Sequence, residues 1–350
     1  MNKIYYHIVY IMISCLMLTS GFESMLHAEE TKKIRIVTTT TDLADIARRI
    51  TADAAEVTAI ASGKEDPHFL TARPGSIIEA RDADVWIRIG LELEVGWEDP
   101  IIRDSRNRLI QAGEPGHIDA SENVIVLDVP RQRVSRDMGD VHPFGNPHYW
   151  LDPLNGRIAA KTIAERLCNL YPSLQTLFHK NLEDFERDLD IRMFGETYVL
   201  KYGGARLWKL LLENSLARTL EKDRTDHGSA GWYGRMLPFQ GQSIVTYHRS
   251  WIYLTQRFGL ITALELEPKP GVPPGSRHLA EVIRTIQDQK IRLILQEPFY
   301  SRKAADLVAQ KTGARVVVCP NTAGGGDGAG SYLDLLDYAV TSLAQALEAP

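Results

Sequence analysis

This sequence of 350 residues has few cysteines, few long apolar runs and no excess of basic residues. Only three cysteines occur, so a fold stabilised by several disulfide bonds is not expected. Lysine and arginine together number 40 against 45 acidic residues, and the resulting net charge of -5 argues against nucleic acid as a partner. Beyond residue 28 no segment is apolar enough to span a membrane. The composition is that of an ordinary globular protein.

The first 28 residues differ in character from the rest of the chain. A positive start at Lys3 precedes an almost uncharged apolar run from Ile8 to Phe22, and Ala28 offers a small residue for cleavage. We therefore predict a signal peptide over residues 1–28 and a mature protein outside the cytoplasm. The segment that ends in Cys15 loosely matches a lipoprotein cleavage box, so lipid anchoring at Cys15 is a less favoured alternative.

The length and pattern of the remaining chain predict two domains, because a single core rarely grows beyond about 250 to 300 residues. Strand-like runs alternate with amphipathic helical stretches in two series, one beginning at Ile34 and the other at Ser243. This alternation favours an α/β fold with mainly parallel sheets in both lobes. We predict an N-terminal α/β lobe at 29–170, a long rigid linker helix at 171–197 and a C-terminal α/β lobe at 198–350.

Several segments between these series carry separate predictions. The apolar run from Val124 to Leu127 is typical of a strand, and residues 208–220 have a helical pattern. Residues 223–234 are polar and contain glycine, so we assign them no regular structure. Cys168 and Cys319 are far apart in the sequence, and we expect both to be buried small apolar residues rather than a disulfide.

Three of the ten histidines share a sequence context. His68, His148 and His248 each come just after a strand or irregular segment and just before a predicted helix. In open α/β sheets this position lines the ligand crevice at the carboxyl ends of the strands. Glu297 follows an apolar strand directly and precedes Pro298, so we expect it at the same edge of the second lobe.

These donor types suit a transition-metal ion. Zn²⁺ and related ions prefer imidazole nitrogen with one or two carboxylates, at roughly 2.0 to 2.2 Å in a near-tetrahedral set. A single histidine beside a helix start more often caps or packs than binds metal, but the coincidence of three favours a site. We predict His68, His148, His248 and Glu297 as the metal ligands, with Zn²⁺ as the ion and Mn²⁺ as the alternative.

His142 is intermediate between these histidines and the others. It belongs to residues 129–147, which are rich in arginine, aspartate, glycine and proline and are expected to form an exposed loop. A solvated loop residue is the favoured interpretation of His142, and transient contact with a metal is the alternative. The remaining histidines lie in the predicted signal peptide or in polar and helical contexts.

At these residues the chain resembles the zinc- and manganese-type (cluster A-I) solute-binding proteins of bacterial ABC importers. The resemblance covers nearly the whole mature chain. Its most specific parts are Asp66-Pro67-His68, His148-Tyr149-Trp150-Leu151-Asp152-Pro153, Tyr247-His248-Arg249-Ser250-Trp251, Arg257-Phe258-Gly259-Leu260 and the segment from Ser331 to Tyr338. It implies two α/β lobes joined by one long rigid helix, with the metal in the cleft between the lobes.

The resemblance implies two ligands from each lobe: His68 and His148, then His248 and a carboxylate. Many members place an aspartate in the loop after the last strand, where this chain has no evident match. Glu297 is the favoured fourth ligand. Asp327, water, or a role for Glu297 in orienting a histidine are the alternatives. Manganese-type members tend to have a carboxylate at the position of His248, so the imidazole there favours zinc.

The resemblance also implies a function and partners. The protein is expected to be a periplasmic or otherwise extracytoplasmic monomer that delivers its ion to the permease of an ABC importer, without enzymatic activity. One alternative is an adhesin-like lipoprotein that binds manganese or another divalent metal. A metallohydrolase is less favoured, because the sequence has no H-E-x-x-H motif and no obvious general base.

Overall fold

A computed structural model of the protein describes residues 32–132, 141–222 and 229–348. The predicted signal peptide and Cys15 lie outside these residues. Within the described ranges, no helix combines the length and the apolar character needed to cross a membrane.

The strands form two four-stranded sheets with the same topology. The first sheet has the order β2-β1-β3-β4, and its strands are β1 (Ile34–Thr38), β2 (Ala55–Ala59), β3 (Val85–Arg88) and β4 (His117–Asp119). The second has the order β6-β5-β7-β8, and its strands are β5 (Ser243–Thr246), β6 (Ile261–Glu265), β7 (Leu293–Gln296) and β8 (Arg315–Val318). The paired strands are parallel, which confirms the predicted α/β class with two parallel-sheet lobes.

Helices connect and cover the strands. In the N-terminal part they are α1 (Thr41–Thr51), α2 (Pro74–Asp82), α3 (Glu98–Ser105), α4 (Pro153–Leu170) and α5 (Gln175–Phe194). They continue as α6 (Glu196–Tyr202), α7 (Gly204–Leu212), α8 (Leu216–Lys222), α9 (Gly231–Met236), α10 (Ile252–Arg257), α11 (Ser276–Gln289), α12 (Lys303–Thr312) and α13 (Tyr332–Glu348). Helix α1 shows why they form: Leu43, Ile46, Ala47 and Ile50 recur at helical spacing, and all four are buried.

The long helix α5 lies within the segment predicted as the linker. Its 20 residues span about 30 Å at about 1.5 Å per residue. A buried stripe that includes Phe178, Phe185 and Met193 packs it against α1, α4 and α9. A helix packed along its length resists bending, as a rigid connector requires. The domain boundaries at 28, 170 and 197 stay predictions.

The run from Val124 to Leu127, predicted as a strand, is irregular in the structure. Its backbone forms hydrogen bonds with side chains instead of with a neighbouring strand. Ile125 donates its N–H to Asn155 Oδ1 at 2.8 Å and accepts from Asn155 Nδ2 at 2.9 Å, and the Leu127 N–H donates to the hydroxyl of Tyr253 at 3.0 Å. The prediction of a strand was therefore wrong, because apolar composition does not determine which groups form hydrogen bonds with the backbone.

The segment that follows α5 also differs from its prediction. The predicted helix at 208–220 is divided between α7 and α8, and Asn214 between them has a left-handed backbone with φ of 54°. Residues 223–228 lie outside the described residues, but Gly231–Met236 is helical where no regular structure was expected. Cys168 and Cys319 are free and buried, as predicted.

Backbone and side-chain hydrogen bonds join the two lobes around their facing sheet edges. Ala323, in the loop after β8, donates its N–H to Asp42 at 2.8 Å and accepts from the Thr41 hydroxyl at 2.6 Å. Gly63 approaches the same loop so closely that a Cβ there would lie 2.5 Å from the carbonyl oxygen of Ala323. Trp150 donates its indole N–H to the carbonyl oxygen of Asn321 at 2.7 Å. The lobes are therefore closed against each other in this structure.

Asp152 is expected to be important for stability because it has two buried roles. It caps α4 by accepting from the Leu154 N–H at 2.9 Å, and it forms two hydrogen bonds with Arg257, at 2.7 and 2.6 Å. Replacing it leaves the Arg257 charge buried without its partner, so Asp152→Ala should lower the free energy of unfolding by about 3 to 5 kcal/mol. Urea denaturation followed by circular dichroism measures this.

Asp306→Ala is the matched control for that measurement. Asp306 also pairs with an arginine, Arg302, but both side chains are 54% exposed. Exposed pairs contribute little to stability. Equal losses in the two variants would contradict the role assigned to Asp152.

Candidate metal centre

Each of the three predicted histidine ligands lies at a short 3-10 turn. His68 is inside the turn Pro67–Phe69. His148 and His248 directly precede the turns Tyr149–Leu151 and Arg249–Trp251. Such a turn fixes the backbone conformation of a few residues, so the imidazole that it carries points in a defined direction.

His68 and His148 are held by the same local motif, an Asx residue followed by proline and histidine. Asp66 Oδ1 accepts from the backbone N–H of His68 at 3.0 Å and lies 2.7 Å from its Nδ1. Asn146 Oδ1 does the same for His148, at 3.0 and 2.9 Å. One side-chain oxygen thus sets both the backbone turn and the imidazole orientation.

His248 is held by a residue distant in sequence. Its Nδ1 lies 2.7 Å from Glu267 Oε2, beyond the end of β6, and both side chains are buried. The second sheet makes this contact, because parallel pairing of β5 and β6 brings Thr246 beside Glu265. The Glu267 N–H also donates to the carbonyl oxygen of Tyr247 at 3.1 Å, which fixes the carboxylate next to the imidazole.

The three imidazoles converge on one point between the lobes. Each offers one ligand nitrogen, and these nitrogens all lie within 4.8 Å of one another. The ring centroids of His68 are 5.0 Å from His148 and 5.7 Å from His248, and those of His148 and His248 are 5.3 Å apart. Each Nδ1 lies within hydrogen-bond distance of an oxygen, so Nε2 is the ring nitrogen that would bind a metal ion. Three nitrogen donors around one point can hold a metal ion.

The electrostatics of the site favour a cation. Burial, and then the neighbouring histidines His68, His248 and His142, hold the pKa of His148 well below its usual value, so its ring is neutral and can bind metal. Burial alone would raise the pKa of Asp66, but hydrogen bonding and charge interaction with His68 lower it overall. An ionised Asp66 behind His68 increases the basicity of the imidazole that it orients.

Glu297, the predicted fourth ligand, lies at the end of β7 and is fully buried. Its Oε1 accepts a hydrogen bond from the Ser250 hydroxyl, and burial raises its pKa to about 8. It does not belong to the group of donors that lie within 4.8 Å of one another among the described residues. The same is true of Asp327, which is exposed in the loop after β8. Metal binding by Glu297 stays a prediction.

The loop context of His142 suggested that it lies in solvent, but the structure buries it. It is 8% exposed, and its ring centroid is 5.2 Å from that of His68. A backbone hydrogen bond of 3.2 Å from the Gly145 N–H to the His142 carbonyl closes a turn, and the Asn146 N–H donates to the Leu127 carbonyl at 2.9 Å. The turn places His142 beside the three imidazoles.

Sequence reasoning missed the residues that orient the histidines. Asp66 and Asn146 carried a signal, since an Asx-Pro-His sequence occurs twice, once at each of two predicted ligands. Glu267 carried none, because it lies 19 residues from His248 and only the sheet brings the two together.

Comparison with known proteins places this site in a family context. The chain matches the family model described as zinc-uptake complex component A, periplasmic, over residues 36–191 and 234–346. The iron-binding protein YfeA of Yersinia pestis is 22% identical over 341 residues, which cover 95% of this chain and 92% of that protein. The manganese ABC transporter substrate-binding lipoprotein PsaA of Streptococcus mitis is 22% identical over 357 residues, or 96% of each chain.

Solved structures share the fold. A crystal structure of ZnuA superposes with a TM-score of 0.65 at 19% identity, covering 90% of this chain and 99% of that one. A mutant structure of the laminin-binding adhesin Lmb from Streptococcus agalactiae has a TM-score of 0.66 at 20% identity, covering 90% of this chain and all of the other. At these sequence identities the comparison with solved structures shows a shared fold.

Removing the carboxylate behind His248 should weaken metal binding without removing a nitrogen donor. Partners of this kind are typically worth about 10- to 100-fold in metal affinity. We therefore expect Glu267→Ala to reduce zinc affinity within that range, measured by competition with a chromophoric chelator. Glu267→Gln keeps an oxygen acceptor and should lose less. Glu281→Gln, on the exposed side of α11, is the control. An unchanged affinity in Glu267→Ala would contradict the orienting role.

Proposed function

Because this chain belongs to the family of the periplasmic component A of zinc-uptake complexes, we propose that it captures a transition-metal ion between its two lobes and delivers it to the permease of an ABC importer. The convergence of three buried imidazoles from both lobes is the observation that carries this proposal. Similar proteins are named as substrate-binding components of metal ABC transporters. The family consists of binding proteins rather than enzymes.

We propose His68, His148 and His248 as metal ligands and Zn²⁺ as the ion. Neutral imidazole suits zinc, whereas Mn²⁺ is better served by carboxylate, carbonyl and water oxygen. No carboxylate of the described residues joins the three nitrogens within 4.8 Å. Relatives are named for iron and manganese as well as zinc, so the donor set of this chain, and not its relatives, supports the choice.

The closed arrangement of the lobes suits delivery by a binding protein. Donors from both lobes surround the ion, so a bound ion favours the closed form and its loss favours opening. The helix α5 packs along much of its length, which supports small closure movements rather than a wide hinge. We further propose that residues 1–28 direct export, that the protein acts outside the cytoplasm as a monomer, and that its lobes span 29–170 and 198–350 around the linker 171–197.

The metallohydrolase and adhesin alternatives differ from this proposal in measurable ways. A catalytic zinc keeps an exchangeable water and shows hydrolytic turnover, whereas a transported ion is enclosed by protein donors. An adhesin-like lipoprotein would bind a host or matrix protein without needing a permease. The enclosed cluster of imidazoles favours transport.

Calorimetric titration of the metal-free protein tests the ligand assignment. We expect one Zn²⁺ per chain, bound more tightly than Mn²⁺, because the three imidazoles match zinc better. His148→Ala should weaken zinc binding by roughly 100-fold or more, since a direct donor is lost. His179→Ala, on the far helix α5, is the control. Stoichiometric zinc binding of unchanged affinity in His68→Ala, His148→Ala and His248→Ala would overturn the site.

Metal uptake by cells tests the transport role separately. In a strain that depends on this protein and its permease for growth on scarce zinc, the parent gene should restore growth and His248→Ala should not. Radioactive zinc uptake is the quantitative measurement. If the parent binds zinc in the purified state but supports no uptake, the binding site stands and the delivery role does not.

A further inference from the structure

The three histidine nitrogens leave one position of a tetrahedral site without a donor. Glu297 Oε1 accepts a hydrogen bond from the Ser250 hydroxyl, and Glu297 does not belong to the donors among the described residues that lie within 4.8 Å of one another. The loop after β8 places Asn321 and Thr322 in the buried interface and leaves its only carboxylate, Asp327, exposed.

His142 is placed where it could complete the set. Its ring centroid is 5.2 Å from that of His68, which is within the range of 5.0 to 5.7 Å that separates the three clustered rings from one another. Its nitrogens are not yet within 4.8 Å of all three others. Nitrogens that share a tetrahedral zinc lie about 3.3 Å apart, so the His142 ring would have to move inward on binding.

A cavity lies beside His142. His142, His148 and His248 line one cavity of about 360 Å³ at the edge of the site, together with Asn146 and Arg249. Rotation between staggered side-chain conformations would move the imidazole across this space. Four residues after His142, Asn146 Nδ2 donates to the Arg249 carbonyl oxygen at 3.0 Å, which ties the turn that carries His142 to the segment that follows His248.

We propose that His142 is the fourth zinc ligand, so that this protein encloses its ion in four imidazoles. This inference rests on the proposed function, because it concerns the same site. A fourth neutral nitrogen displaces the water that would otherwise occupy the open position. The two carboxylates behind the rings, Asp66 and Glu267, then balance the double positive charge of the ion. Such a set disfavours Mn²⁺ further, since it offers no oxygen donor.

Counting zinc-bound imidazoles tests the proposal directly. In protein with isotope-labelled histidine, a ring nitrogen bound to zinc has a distinct chemical shift in long-range nitrogen-proton NMR spectra. We expect four zinc-bound histidines in the parent and three in His142→Ala, with the signal of His142 lost. Three in the parent, with the same three in His142→Ala, would overturn the proposal and leave the transport site intact. No zinc-bound histidine in the parent would overturn the proposed function itself.

Affinity measurements give a second readout that does not depend on the spectra. His142→Ala should weaken zinc binding by about tenfold or more, while His179→Ala remains at the parent value. His142→Gln preserves size and polarity and should lose as much as His142→Ala if coordination is what matters. Glu297→Gln should retain zinc affinity under this proposal. A loss in Glu297→Gln with none in His142→Ala would assign the fourth position to Glu297 and overturn the inference.

Discussion

The orientation of three imidazoles by oxygen acceptors behind them is the constraint on which this site depends. Asp66, Asn146 and Glu267 each engage the Nδ1 of one histidine, at 2.7 to 2.9 Å. Each acceptor fixes the ring plane and leaves Nε2 as the donor. Without these acceptors the imidazoles would rotate, and metal binding would have to offset the entropic cost of aligning three rings.

The fold supplies those acceptors from both lobes because each lobe has the same strand order. In each sheet the chain passes to one side of the first strand and then to the other, which opens a crevice at the carboxyl ends of the strands. The hydrogen bonds of Thr41, Asp42 and Trp150 to the loop after β8 bring the two crevices together. The cluster therefore lies between the lobes, where opening would pull its donors apart.

Much of this was accessible from the sequence. Periodicity predicted the α/β class and most elements. The position of His68, His148 and His248 between a strand or irregular segment and a helix predicted that they lie together, and their ligand nitrogens lie within 4.8 Å of one another in the structure. Sequence reasoning failed for the strand at Val124–Leu127, because side-chain amides and hydroxyls competed successfully for its backbone. It also placed His142 in solvent, since a polar loop composition gives no information about the surface on which the loop packs.

The sequence by itself determined the residue types available for binding and the local turns that present them, because turns and periodicity are set by neighbours in the chain. Only the tertiary structure decided which groups meet. Glu267 finds His248 through parallel strand pairing, and His142 reaches the side of His68 through a turn packed between lobes. Glu297 accepts a hydrogen bond from Ser250, and burial within the folded protein raises its pKa. Contacts between distant residues follow from packing, which no local pattern encodes.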